Sequence, residues 1–404
     1  MDPSEHERGL PGGAGSLPVA IGLALGVVAF SALASTHSDF DAESFGLGNN
    51  TTQHAQQLPK RPFGGRNEWP ARAIENARAH QERGALLALW LGASQLHAVN
   101  DFHEGDLLAV DQANRMAERD GLAVAFYLQS QGNSNFHDHL GMYLRFRQQG
   151  VTPAYLIVAL TYDDLREGGM RPAVVRAIPD LDVDVSTLSP EAREAFAVIE
   201  RQVETLARAQ ADADAPVERT ATEGTPQALL EDRLVRGLER VWPAYGARTA
   251  LTSWAELQLR VSLRRMINAA KRTIRASPGT PPVPKAMETK NKKALDALVE
   301  LAQRDGVEVI LYRQPHVQGI EPFYHDRAAY DAFFAWVTQR YAARGVHVFD
   351  FEKVVPAHLY GMSNWGLVDV FHFSAEGHRL LAEAVYENFR ALHLARAGGH
   401  RAVQ

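Results

Sequence analysis

The sequence of 404 residues contains no cysteine. That absence excludes disulfides, thiolate catalysis, Cys-ligated zinc and iron–sulfur clusters. Positive charge is not in excess either: 42 Lys and Arg stand against 48 Asp and Glu, a formal net charge of -6. This argues against nucleic acid as the main partner, because phosphate binding needs concentrated positive charge. Internal repeats are absent, and hydrophobic and charged residues, at 46% and 22%, are ordinary for a globular chain. A disordered, collagen-like or largely transmembrane chain is thereby excluded. The length suits two to three domains at roughly 150 residues each, or one large α/β domain carrying an insertion. The second organisation fits the pattern better.

One long uncharged run is present, Leu17 to Ala34 (LPVAIGLALGVVAFSALA). Its 18 residues lie at the lower edge of the roughly 17 to 25 that span a bilayer as a helix. Ala32-Leu33-Ala34 also resembles a small-x-small cleavage site, and Arg8 is the only Lys or Arg ahead of the run, against Asp2, Glu5 and Glu7. We expect a single-pass anchor, with a cleaved signal or a buried helix as alternatives. Either of the first two puts most of the chain on the extracytoplasmic side, periplasmic or cell-surface. Positions 37–70 are rich in Asn, Gln, Gly and Pro and read as a stalk. Asn50-Thr51-Thr52 fits a glycosylation acceptor pattern, which has meaning only in a host that glycosylates.

Five short apolar runs read as buried strands: Ala85–Leu91, Leu122–Leu128, Ala154–Leu160, Val307–Tyr312 and Val346–Phe351. They alternate with helical stretches Asp106–Arg119, His137–Gln149, Asn291–Arg304, Tyr330–Arg344 and Ala375–Leu392. Continuous apolar runs alternating with helices predict a five-stranded parallel sheet covered on both faces. Gly121, Gly306 and Gly345 stand just ahead of strands two, four and five, as helix C-caps do. The expected division is a tail at 1–16, the apolar segment at 17–34, a linker at 35–80, core at 81–165, a helical insertion at 166–290 and core again at 291–404. Within the insertion, Pro190–Ala213, Gln227–Val241 and Leu251–Ala276 read as helices. The last carries Arg260, Arg264, Arg265, Lys271, Arg272 and Arg275 against Glu256, interleaved with Trp254, Leu257, Val261, Ile267 and Ile274. Such a face suits a solvated cap helix, an anionic membrane surface or a partner.

In an open parallel sheet, ligands bind beyond the carboxyl ends of the strands. After the first strand comes Gly92-Ala93-Ser94-Gln95-Leu96-His97, whose small residues allow a tight turn that exposes the Ser94 hydroxyl. Near the end stands Asp369-Val370-Phe371-His372. A serine hydroxyl needs an imidazole to take its proton, and the imidazole needs a carboxylate to fix its tautomer. We expect Asp369 and His372 on one loop, with Ser374 capping the closing helix. His97, Asp163 with Asp164, and Arg313 are candidates to line the substrate site, with a helix-surface histidine, a cap pair and a structural arginine as the plainer readings. Asn100-Asp101-Phe102-His103 and Phe136-His137-Asp138-His139 invite a metal reading. Two His at i and i+2 do not share a helix face, so no metal or other cofactor is expected.

Gly-x-Ser after the first strand with Asp-x-x-His before the last helix resembles the SGNH (GDSL-type) hydrolase superfamily, over about Ala85–Asp164 and Asn291–Leu392. The resemblance implies a flavodoxin-like three-layer α/β/α sandwich. It makes Ser94 the nucleophile, His372 the general base and then acid, and Asp369 the orienting carboxylate. The backbone N–H groups of Ser94 and Gly132 would face the oxyanion. The family's Gly-x-Asn-Asp block after strand three is replaced by Thr161-Tyr162-Asp163-Asp164, leaving Asn133 or Asn135 as substitutes. Anchor, insertion and Gln-Gly after strand two are most similar to the D-alanyl transfer branch of teichoic-acid D-alanylation. That branch implies an envelope glycan or polyol acceptor and a membrane-bound O-acyltransferase as partner. A free-standing carbohydrate or lipid esterase and a catalytically weak scaffold are the competing readings.

Overall fold

The computed structural model describes residues 25–32, 52–53, 71–103, 105–178, 183–214, 282–320, 325–362 and 368–401, with single positions between 238 and 262. The chain divides into two units, one made of Met1–Ala42 with Glu218–Arg264 and one of Glu43–Val217 with Arg265–Gln404.

The larger unit is built on five parallel strands: β1 (Leu86–Gly92), β2 (Val124–Ser130), β3 (Tyr155–Leu160), β4 (Glu308–Arg313) and β5 (His347–Asp350). Their order across the sheet is β2-β1-β3-β4-β5, every pairing parallel. This is the flavodoxin-like order, whose switch point lies between β1 and β3. The strands read as unbroken apolar runs because alternate residues enter two different cores. Leu87, Leu89 and Leu91 join Leu156, Val158 and Leu160 on one face. Ala88 and Trp90 join Ile157, Ala159, Ile310 and Tyr312 on the other. Each fully buried leucine contributes roughly 1.5–3 kcal/mol. Trp90 Nε1 donates to the Tyr312 hydroxyl at 2.9 Å, so the buried indole N–H has a partner.

The first face is covered by α1 (Ala71–Glu82), α3 (Phe136–Gln148), α6 (Lys285–Arg304) and α7 (Arg327–Ala342). The second is covered by α2 (Ala109–Arg119) and α8 (Ala375–Arg401). All five expected strands and their helices are present, with bounds shifted by a few residues. Helix α6 starts six residues early because Pro284, with no N–H to lose, stands at its N-cap. The expected linker at 35–80 ends sooner than its pattern implied: Ile74 and Ala77 of α1 are buried beneath the sheet.

The stretch expected as one insertion divides. Helices α4 (Pro172–Ala177) and α5 (Pro190–Asp214) belong to the larger unit. Val174, Val175, Ala192, Ala195, Phe196 and Ile199 are buried in its first core. Only Glu218–Arg264 falls in the smaller unit. There, Trp242 Nε1 donates to Ser31 Oγ at 2.6 Å and the Trp242 ring meets Phe30 edge-on. Among the described residues no helix is long and apolar enough to cross a membrane. Of the expected anchor, only 25–32 is described, as helix; the rest of it, the stalk, and most of the helices expected at 227–241 and 251–276 lie outside the described residues.

Candidate active site

The carboxyl end of β1 turns at Gly92. A Cβ there would stand 2.5 Å from Leu96 Cδ1 and 3.1 Å from Ala159 Cβ, so a side chain at this turn would force Leu96 to shift. Ser94 then opens a single 3₁₀ turn, Ser94–Leu96. Its backbone N–H belongs to the first turn, where no preceding carbonyl is available within the helix.

Asp369 and His372 lie on a strand, not on the loop that sequence suggested. Strand β7 (Val368–Phe373) pairs antiparallel with β6 (Tyr360–Met362). The expectation failed because this two-stranded ribbon is short and its alternation of polar and apolar residues spans only six positions. The ribbon is tied to the segment after Ser94 where Asn100 N donates to Phe373 O at 2.9 Å, and its own two strands are closed where Ser374 N donates to Leu359 O at 2.9 Å.

These ties bring together two groups 278 residues apart: His372 Nε2 is 2.8 Å from Ser94 Oγ. His372 Nδ1 is 2.8 and 3.0 Å from the two carboxylate oxygens of Asp369. A carboxylate only accepts, so the shared proton sits on Nδ1 and the Nε2 lone pair faces the serine hydroxyl. Asp369 Oδ1 also accepts the backbone N–H groups of Phe371 and His372, each at 3.0 Å. Both Asp369 and His372 are buried. The arrangement can remove a proton from Ser94 and return it, which is the requirement for covalent acyl chemistry at a serine.

A cleft of about 420 Å³ opens at this sheet edge, lined by Ser94, Asn133, Thr161, Gln314 and Phe371 among others. Each of β1 to β4 sends its following residues to it. Gly132 does not line it. Gly132 and Asn133 occupy the centre of a turn closed by Ser134 N donating to Gln131 O at 3.2 Å. Asn133 sits there at φ 50°, a left-handed conformation that asparagine tolerates, and reaches the cleft. Asn135 also lines the cleft, but its side chain caps α3: Oδ1 accepts from His137 N and Asp138 N, and Nδ2 donates to Gly169 O. Its oxygen and one of its two Nδ2 protons are thereby committed to holding α3 and the Gly169 carbonyl.

The other candidates divide. His97 does not line the cleft; Nδ1 lies 2.8 Å from Ser130 Oγ, and burial beside His372 and His378 lowers its pKa to about 3. A neutral His97 keeps a competing positive charge away from His372. Asp164 is the cap of the turn after β3, accepting from Thr161 N at 2.8 Å and Thr161 Oγ1 at 2.6 Å. Burial holds its carboxyl well above the usual carboxylate range. Asp163 lines the cleft but is paired with Arg166, and burial raises its pKa despite that partner. Arg313, a candidate substrate ligand, lies outside the cleft. Its buried guanidinium stacks on Tyr330 and Phe334 and pairs with Asp331, Asp350 and Glu352, so its charge is already met. His137 meets Asn291 Oδ1 and His139 meets Ser134 Oγ, while His103 is exposed beside Asp106. Among the described residues no three metal-ligating side chains cluster.

Gln95, unremarked in the sequence, joins the parts. Its buried Nε2 donates to Pro315 O at 2.8 Å and to Phe371 O at 2.6 Å. One amide thus links the turn carrying Ser94, the loop after β4 and the strand carrying His372. Its Oε1 is buried with no hydrogen-bond partner. A glutamine directly after the candidate serine was the sole sequence signal.

No family model matches the chain, and no curated protein matches it. Two solved structures from Bacteroides resemble it. A chain from Bacteroides fragilis, assigned but not demonstrated as an acylhydrolase, is 10% identical, covering 78% of this chain and 94% of its own, at a TM-score of 0.32. A GDSL-like lipase from Bacteroides thetaiotaomicron is 10% identical, covering 79% and 98%, at a TM-score of 0.33. At these values neither likeness bears on what this chain does. Its chemistry rests on its own residues.

Proposed function

We propose that this chain is a serine esterase or O-acyltransferase of the SGNH type, working through an acyl-Ser94 intermediate. The observation that carries the reading is the relay of Ser94 Oγ, His372 and Asp369, with 2.8 Å at each link. Ser94 Oγ attacks the carbonyl carbon of an ester while its proton passes to His372 Nε2. Asp369 steadies the imidazolium that forms. The tetrahedral intermediate collapses, the leaving oxygen takes the proton from Nε2, and the acyl group remains on Ser94. Water or an acceptor hydroxyl then gives its proton to Nε2 and attacks, and Ser94 recovers a proton as it leaves. The Ser94 N–H and an N–H donor of Asn133 are the groups we assign to the oxyanion, each worth on the order of 3 kcal/mol.

The finer reading is an extracytoplasmic, membrane-anchored protein that handles D-alanyl- or acetyl-like groups on an envelope glycan or polyol, beside a membrane-bound O-acyltransferase. What supports it is the uncharged Leu17–Ala34 run. Labelling the protein with a fluorophosphonate tests the chemistry. Wild type should label, and Ser94→Ala and His372→Ala should not. A folded wild type that resists labelling, or label retained by Ser94→Ala, overturns the reading. Supplying an acetylated donor with glycerol or with water alone then separates transfer from hydrolysis.

A further inference from the structure

The turn that brings Asn133 to the cleft is held from outside its own loop. Asn133 stands at φ 50°. A residue other than glycine keeps that conformation only where its surroundings over-determine it, and such residues gather at functional sites. Here the peptide that follows Asn133 is fixed on both sides. Ser134 N donates to Gln131 O at 3.2 Å, and Asn133 O accepts two N–H groups of one guanidinium, Arg171 Nε at 2.7 Å and Arg171 Nη2. Hydrogen bonds from a charged donor are roughly twice as strong as neutral ones. The segment carrying Arg171 is tied to the same loop twice more. Asn135 Nδ2 donates to Gly169 O at 2.8 Å, and Arg171 N donates to Oδ1 of the buried Asp138 at 2.6 Å. Arg171 does nothing for the helix it precedes: it is the N-cap of α4 and makes no side-chain cap bond. Its side chain lines the cleft and serves Asn133 and Glu167 instead.

We propose that Arg171 is a positioning residue for the oxyanion donor: it holds Asn133 in the left-handed turn that presents an N–H to the oxyanion, and acts on the reaction through Asn133. This rests on the acyl-Ser94 reading and adds to it a part supplied by the segment between β3 and α4. Because the oxyanion forms only in the transition state, such a residue governs kcat and leaves KM alone. Full-length Arg171→Met and Arg171→Lys are compared with wild type in fluorophosphonate labelling and in p-nitrophenyl acetate turnover. Arg171→Met should label about 10- to 100-fold more slowly, as a displacement of about 1 Å at the reacting centre would cause. Its kcat should fall in proportion, with KM and the pH at half-maximal labelling unchanged. Labelling run to completion counts folded, competent sites and should reach the wild-type endpoint. Arg171→Lys, which keeps a charged donor for Asn133 O, should recover most of the lost rate. If Arg171→Met does not fold, Arg171→Gln, whose neutral amide keeps a single weaker grip, carries the same comparison of kcat with KM. Three results overturn the proposal: a wild-type labelling rate without the guanidinium, a lower endpoint at an unchanged rate, or a raised KM at an unchanged kcat, which makes Arg171 a substrate ligand. Wild type that fails to label overturns the Ser94 reading itself and this proposal with it, so the two failures are told apart.

Discussion

Replacing Gln95 by Met separates holding the relay from holding the fold. The glutamine Nε2 makes two buried hydrogen bonds, to Pro315 O and Phe371 O, and its Oε1 makes none. Losing two bonds costs about 0.5–1.5 kcal/mol each, and the two carbonyls lose their donor. Removing an unpaired buried oxygen returns about 1–3 kcal/mol of desolvation. The terms nearly offset, so Gln95→Met should change global stability by no more than about 2 kcal/mol, a few degrees in a thermal melt. The relay is affected differently. Phe371 precedes His372, and with its carbonyl freed the His372 ring is no longer fixed against the turn of Ser94. A shift of about 1 Å at a reacting centre costs on the order of 100-fold in rate. We expect fluorophosphonate labelling to slow by about 10- to 100-fold, with the pH at half-maximal labelling unchanged. Gln95→Glu, which sets an anionic acceptor against two carbonyls, should instead fail to fold. Wild-type labelling in a Gln95→Met protein that melts lower would show that the amide serves stability alone, and the positioning argument would be refuted.

Asp369→Asn should keep the fold, since the amide oxygen still accepts from Phe371 N and His372 N, but lose labelling by on the order of 10⁴-fold because Nδ1 no longer finds a carboxylate. Circular dichroism beside the labelling rate checks both halves. Gly92→Ala places a methyl 2.5 Å from Leu96 Cδ1 and should cost about 1–3 kcal/mol in urea unfolding while displacing Ser94. Acid stability follows from the buried histidines. Burial lowers His97, His139 and His325 to about 3 and His137 and His316 to about 4, each from 6.5. Their folded values are depressed, so between pH 6.5 and about 4 the unfolded chain takes up protons that the folded chain does not. Stability should therefore fall as pH drops through that window, by up to about 1.4 kcal/mol per pH unit per histidine. Asp138, raised to about 6 by burial, acts in the opposite sense between 6 and 3.8, as do Asp163 and Asp164, whose carboxyls burial also raises. Urea midpoints at pH 7, 6 and 5 measure the sum; a flat profile would refute the burial argument.

The strands and their helices were legible in the sequence, because each depends on local rules, and Ser94, Asp369 and His372 stood out there as candidates. A run such as Leu156 to Leu160 must be buried on both faces wherever the sheet places it, and Gly92 marks a tight turn where a side chain would crowd Leu96. What faces what was decided only by the tertiary structure. The expectation for Arg313 erred because position at the sheet edge says nothing about the carboxylates of Asp331, Asp350 and Glu352 that surround it. Gly132 and Asn133 are neighbours in sequence, and only the conformation of their turn selects which one reaches the cleft. Helix α5 reads as part of an insertion until Phe196 and Ile199 are seen inside the main core. Gln95 carries no pattern at all: its role arises from two carbonyls that come from segments 220 and 276 residues away. Periodicity and turn chemistry are encoded within a few residues, whereas hydrogen-bond partners of buried polar groups are fixed by strand order and packing.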